Sequence, residues 1–201
     1  EAGLLRSREF VRRAVEGGMK VVGALNNDMI GWSNDARLDN TIRYSNRGIR
    51  DIQHAAAMQF SRLITYDALY YKGTDAASYY DAYGDIVGGN GSYPVLGNPH
   101  YHQSHDLLDG INHQLITEVA KTTAATLMLL ASSPSRITGL QATASGGSAA
   151  LTWTPSPESG VTGYLVSWGP EDGAKTLRVT QPKAAVPGVA AGTEVRVRAV
   201  N

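Results

Sequence analysis

Residues 19–32, MKVVGALNNDMIGW, decide how this chain is read. A short apolar run there ends in Asn26-Asn27-Asp28, the pattern of a buried strand whose carboxyl end is polar. In open α/β sheets ligands bind beyond the carboxyl ends of strands, so Asp28 is well placed for chemistry. The plainer alternative is an aspartate that opens a turn or caps the next element.

Helix-like and strand-like segments alternate on both sides of that stretch. Upstream, Leu4, Leu5, Val11, Ala14 and Val15 make one apolar helical stripe, with Gly17-Gly18 in the position of a C-cap. Downstream, TIRYS (41–45) reads as a short strand. NRGIRDIQHAAAMQFSRL (46–63) reads as a helix with Ile49, Ile52, Ala56, Phe60 and Leu63 on one face. DAASYYDAY (75–83) is a short helix, and a Gly/Pro/Asn-rich region over 85–106 holds one strand at its start. Asn112 caps a last long helix, HQLITEVAKTTAATLMLLA (113–131), which carries Leu115, Ile116, Val119, Thr123 and Met128. Such alternation predicts a layered α/β domain over residues 1–131.

SSPSR (132–136) is a linker by composition. Residues 137–201 then offer strand-length segments separated by Gly, Pro and Ser: ITGLQATAS, SAALTWTPS, VTGYLVSWGP, TLRVTQ and EVRVRAVN. Their spacing predicts an all-β, immunoglobulin-like sandwich.

Composition narrows the function. Among 201 residues, 18 basic and 18 acidic side chains cancel, which argues against a nucleic-acid surface. The basic cluster from Arg6 to Arg13 alternates with apolar residues at helical spacing and reads as a solvated helix face. No apolar run approaches the ~20 residues of a membrane span. With zero cysteines there are no disulfides or thiolate ligands, and the compartment stays open.

Imidazole is concentrated in one place. Three of the five histidines, His100, His102 and His105, lie with Asp106 in the loop NPHYHQSHD (98–106). Imidazole and carboxylate suit zinc, and a loop lets them converge. If the stretch is extended, His100 and His102 point one way and His105 the other, so only a subset binds one ion. His54 and His113, on helices, read as structural.

Taken together, four stretches resemble the co-catalytic di-zinc exopeptidases typified by bacterial leucyl aminopeptidases. EAGLLRS (1–7) is similar to the second half of that family's E-E-x-G-L-x-G-S motif, and ALNNDMIG (24–31) to its strand-end D-M. YKGTDAASY (71–79) is similar to its Y-x-x-S-D-H-x-x-F/W, and NPHYHQSHD to its P-x-x-H-T-x-x-D. The resemblance implies part of a three-layer, mixed-sheet catalytic domain holding two Zn2+ ions when complete. It assigns Glu1 and His102 to one zinc and Asp28 to the other, and gives Tyr71 a hydrogen bond to the oxyanion of the tetrahedral intermediate. Asp75 takes a structural role, and His100 and His105 fall on non-ligand positions. LTWTPSPESGVTGYLVSWG (151–169) and GVAAGTEVRVRAVN (188–201) resemble a fibronectin type III module, with Trp153 its core Trp, Tyr164 its third-strand Tyr and its last strand missing.

Departures are equally plain. The family's upstream His-x-Asp and the Glu general base directly before Glu1 are not in this chain, Ala76 stands in place of the motif's His, and Arg6 in place of a Gly. The expectation is therefore the C-terminal part of a secreted or periplasmic zinc aminopeptidase. It would cleave N-terminal residues from peptides through a metal-bridged hydroxide, but only together with the missing N-terminal part; this segment alone would be inactive. A related exopeptidase or an aminoacyl-cyclising enzyme is a near rival. A non-catalytic extracellular interaction or structural protein, built on the same fold and binding through the fibronectin-type module, is the alternative from another class.

Overall fold

The first helix, α1 (Leu5–Glu16), opens a computed structural model that describes residues 4–69, 72–170, 172–190 and 192–201. Only Val11 and Ala14 of its apolar stripe are buried, while Leu5 and Val15 stay exposed. Its outer face carries an ion network, with Arg12 and Arg13 donating to Glu9 and Arg12 to Glu16. These guanidinium hydrogen bonds lower the Glu9 carboxyl to about 2. The helix ends as Gly17-Gly18 predicts: Gly18 N–H donates to the Val15 carbonyl and Met19 N–H to that of Ala14.

The described chain divides into two units, Glu1–Ala131 and Ser132–Asn201. In the first, a mixed sheet has the order β1-β4-β2-β3. β1 (Ala24–Leu25) runs parallel to β4 (Val87–Gly91), β4 antiparallel to β2 (Asp39–Tyr44), and β2 parallel to β3 (Ile64–Ala68). The strand expected to be buried along residues 19–28 is thus reduced to its last part, and Met19 and Val22 are exposed. β1 is an edge strand among the described residues, so one side of it has no sheet to cover it. Its ladder nevertheless continues past Leu25, with N–H groups of Ala24, Asn26 and Asp28 donating to the carbonyls of Ile86, Gly88 and Asn90. β3 was not legible in the sequence, because its TYD centre alternates about a half-exposed edge.

Two helices bury polar residues where periodicity alone points to apolar ones. α2 (Arg47–Phe60), capped by Asn46 Oδ1, buries Ile49, Gln53, Ala56 and Ala57. Phe60, expected on the inner face, is 55% exposed. Gln53 takes the core position because it satisfies strand backbone: it donates to the Arg43 carbonyl (3.0 Å) and accepts from Gly89 N–H (2.7 Å). α4 (His113–Ser132) starts at the Asn112 cap, whose Oδ1 accepts from Leu115 N–H at 3.0 Å. It buries Leu115, Glu118, Val119, Thr122 and Thr126 and leaves Met128 exposed. By length and composition α4 is apolar enough to cross a membrane, an exception to the expectation from the sequence. Glu118, Thr122 and Thr123 bond Arg62, Ser61, Asn27 and Asn90 of this unit, so its buried face forms a layer of the α/β fold. The remaining helix, α3 (Ala76–Tyr83), packs on α1 through Phe10 against Tyr79 and through the hydroxyls of Ser7 and Ser78.

Glu118 ties α4 to the α2–β3 junction. Its carboxylate is 1% exposed and accepts from Lys121 Nζ (2.8 Å) and Arg62 N–H (2.9 Å). The Lys121 hydrogen bond first, then the Arg62 backbone, holds the carboxyl below its ordinary value of 4.5. Because the folded value lies below the unfolded one, this contribution is complete above about pH 4.5 and is lost as pH falls through the folded value. Glu118→Gln is expected to cost about 2 kcal/mol near neutrality and to flatten the acid limb of stability against pH. Acid limbs that stay parallel in the two proteins would contradict this.

The second unit is a sandwich of two antiparallel sheets, β10-β7-β8 and β5-β6-β9. The strands are β5 (Gln141–Ser145), β6 (Ser148–Thr152), β7 (Gly163–Trp168), β8 (Lys175–Val179), β9 (Lys183–Pro187) and β10 (Val195–Val200). Ala149, Leu151, Trp153, Tyr164, Val166, Trp168 and Val186 form its core. Trp153 and Tyr164 meet edge to face at 5.2 Å, and Trp168 Nε1 donates to the Pro187 carbonyl. β9 was not anticipated: KAAVP looks like a loop until Val186 is seen filling the core.

Candidate functional site

The site is built around the polar end of β1. Asn27 turns its amide to one face of the sheet, where Oδ1 accepts from Asn90 N–H (3.2 Å) and Asn90 Nδ2 (3.0 Å). Its Nδ2 donates to Thr123 Oγ1 of α4 at 2.9 Å, and Asn90 Nδ2 donates to the same oxygen at 3.2 Å. Strand alternation then sends Asp28 to the opposite face. Asp28 N–H still bonds the Asn90 carbonyl at 3.0 Å, and Met29, at φ 59°, turns the chain away at once.

On that opposite face lies Arg43. Its side chain is 3% exposed, and Nη1 stands 4.0 Å from Asp28 Oδ2, whereas the Asp28 carboxylate is 44% exposed. The guanidinium passes under β4 at Gly91, where any Cβ would lie 2.3 Å from Nη2. Asp28 caps no helix among the described residues, so the cap half of the plainer alternative does not account for it, while the turn at Met29 follows it directly. Asn26, two residues earlier on the same side of the strand, lines an open cleft of about 540 Å³ together with Arg6, Phe10, Asp75, Ala76 and Tyr79. Asp75 directly precedes α3, and burial followed by the nearby Asp75 charge raises the Tyr79 phenol.

The histidine loop is not extended. Successive turns, Tyr101 N–H to Asn98 O, Gln103 N–H to His100 O and Asp106 N–H to Gln103 O, coil it. The alternation expected of an extended stretch is therefore corrected: His100 meets His105 edge-on at 5.0 Å, and exposed His102, at φ 58°, stacks on Tyr101 at 3.9 Å. His54 bonds Thr65 Oγ1 (2.9 Å) and Asp67 Oδ1 (2.5 Å), joining α2 to β3. Glu1 and Tyr71 lie outside the described residues.

Among the described residues no three His, Asp or Glu side chains gather into a metal-binding group. The end of β1 offers a half-exposed carboxylate at Asp28, and the histidine loop an exposed imidazole at His102, both donors of the class zinc takes, with no contact between them among the described residues. The parts that Arg43, Asn27, Asn90 and Thr123 play around Asp28 escaped the sequence reading, which placed Thr123 only on the stripe of the last helix. The available signals were an arginine inside a buried strand and a doubled asparagine before a strand-end aspartate.

The model of Peptidase family M28 matches residues 1–127. A crystal structure of the Legionella pneumophila LapA aminopeptidase superposes with a TM-score of 0.59 at 22% identity, covering 65% of this chain and 36% of that one. A second crystal structure of the Legionella LapA gives 0.58 at 23%, covering 65% and 37%. The chain thus spans about a third of the length of the structures it matches, and at these identities they speak to the fold alone. The solution structure of the fn3 domain of the human collagen alpha-1(XX) chain aligns over 33% of this chain and 68% of its own, at 26% identity and a TM-score of 0.27. No curated protein matches the chain.

Proposed function

Because the chain belongs to peptidase family M28, we propose that it forms part of a zinc-dependent aminopeptidase that releases N-terminal residues from peptides. The observation that carries this reading is Asp28: a carboxylate at the end of a parallel strand, half exposed, with its main chain and its neighbour both pinned. Asp28 would hold one zinc ion, and Glu1 and His102 the other. Zinc, when bound, polarises a carbonyl and makes a nucleophile of water at neutral pH.

The chain's own residues have separate tasks in this reading. The charge of Asp28 balances a dication while the buried Arg43 aims the carboxylate. Tyr71 donates its phenolic proton to the oxygen on which charge develops as the amide is attacked. Phe10 and Tyr79 give the adjoining cleft an apolar wall, and Asp75 and Arg6 give it polar ends, a lining suited to peptide. The base that moves the proton from water to the leaving amine has no counterpart among the residues assigned here. The segment alone is accordingly inactive in this reading and works with the rest of the protein, in a secreted or periplasmic setting.

The test uses the full-length protein. We expect two zinc ions per chain and hydrolysis of aminoacyl anilides that a chelator abolishes and zinc restores. His102→Ala is expected to lower the zinc content. A metal-free protein with no activity on any aminoacyl anilide would instead favour the non-catalytic interaction role.

A further inference from the structure

We propose that Asn27, Asn90 and Thr123 are positioning residues that set the register of β1 and thereby aim Asp28; the inference rests on the reading of Asp28 as a zinc ligand. β1 has only two residues of regular strand and pairs on one side alone among the described residues. A short edge strand specifies its register weakly, and a slip of one residue sends every side chain to the other face. For this strand, such a slip moves the Asp28 carboxylate away from Arg43 to the α4 side. The main-chain bonds of Ala24, Asn26 and Asp28 to β4 do not prevent it, because a shifted ladder remakes them.

What distinguishes the observed register is the side chain of Asn27. Its oxygen takes two hydrogen bonds from Asn90, its nitrogen gives one to Thr123, and Asn90 gives Thr123 another. The Thr123 hydroxyl is therefore a common acceptor for two amides that come from two strands, and it is presented by a helix. Asn90 is 1% exposed, so its amide has no water to turn to if Asn27 leaves the cluster. A shift in one direction brings the charged Asp28, which cannot donate to Thr123 Oγ1. A shift in the other brings Asn26, an identical amide, but turns the Leu25 side chain away from Gly88, where a Cβ would meet Leu25 Cδ2 at 3.0 Å.

The experiment measures zinc affinity of the full-length protein by competition with a chromogenic chelator. The variants are Asp28→Asn, Asn27→Ala, Thr123→Val and Thr123→Ser. Residues that orient a metal ligand typically govern ~10–100-fold in metal affinity. Asn27→Ala and Thr123→Val are expected to weaken one zinc ion by an amount in this range and to leave the other in place. Thr123→Ser, which keeps the hydroxyl, is expected to retain wild-type affinity. If Thr123→Ser loses as much as Thr123→Val, the methyl packing matters and the proposal fails. If Asp28→Asn weakens zinc while Asn27→Ala and Thr123→Val do not, the cluster has no positioning role. If Asp28→Asn itself leaves both ions bound as tightly as before, the ligand assignment fails, and with it the premise of this inference. Thr123→Val, a near-isosteric change at a partly buried helix position, carries the test where Asn27→Ala does not fold.

Discussion

Asp28→Asn in the full-length protein is expected to strip one zinc ion and to reduce kcat/KM by more than the ~10–100-fold that loss of a residue supporting a metal ligand costs. The exchange keeps the size and shape of the side chain and removes only its charge. On the proposed reading that charge has two uses at this position. Outward, the half-exposed carboxylate would offset part of a dication's charge. Inward, it faces the guanidinium of Arg43, itself almost wholly buried, at 4.0 Å. Neutralising Asp28 weakens both at once, so the loss falls on metal occupancy and turnover together while the fold survives. The decisive comparison is zinc content beside kcat/KM for the two proteins. A variant with two zinc ions and undiminished turnover takes Asp28 off the ligand set.

Gly89→Ala is expected to cost about 4 kcal/mol, most of the margin of an ordinary domain. A Cβ on Gly89 would lie 1.9 Å from the Asn26 carbonyl oxygen and within 2.8 Å of its nitrogen, all backbone atoms with no rotamer to yield. Residue 89 also sits at φ 147°, where side chains other than glycine's are strained by ~1–3 kcal/mol. Overpacking in a well-filled site adds about 1–3 kcal/mol more. Relief requires β1 to move off β4, which breaks the bonds from Ala24, Asn26 and Asp28 that carry the site. Chemical denaturation with Gly110→Ala as control reads this directly, since a Cβ at Gly110 meets nothing within 4 Å. Equal midpoints for the two variants would falsify the close approach of β1 to β4.

Local signals survived the passage to structure, and non-local ones did not. Gly17-Gly18 ends a helix and Asn112 begins one because a cap is a contract between residues a few positions apart. Trp153 and Tyr164, singled out by the fibronectin-type resemblance, lie in the sandwich core. Gln53 and Glu118, by contrast, are core residues only because Gly89 N–H, the Arg43 carbonyl and Arg62 N–H, far away in the chain, need partners there. Phe60 and Met128 reach solvent for the complementary reason, since polar neighbours on their helices occupy the inner face. The histidine loop pairs His100 with His105 because turns, not extension, set its spacing.

By itself the sequence determined that a carboxylate closes the apolar run of residues 19–28, since that is written in adjacent letters. It also determined the two fold classes, through periods of 3.6 and 2 that need no partner to be read. Only the tertiary structure decided which way that carboxylate faces. Asp28 meets Arg43 because Asn27 is bound to Asn90 and Thr123, 63 and 96 residues further along, and β4 is thin enough at Gly89 to admit the strand. Direction across a sheet is a property of register, and register is set by contacts that distant segments make only once they have folded together.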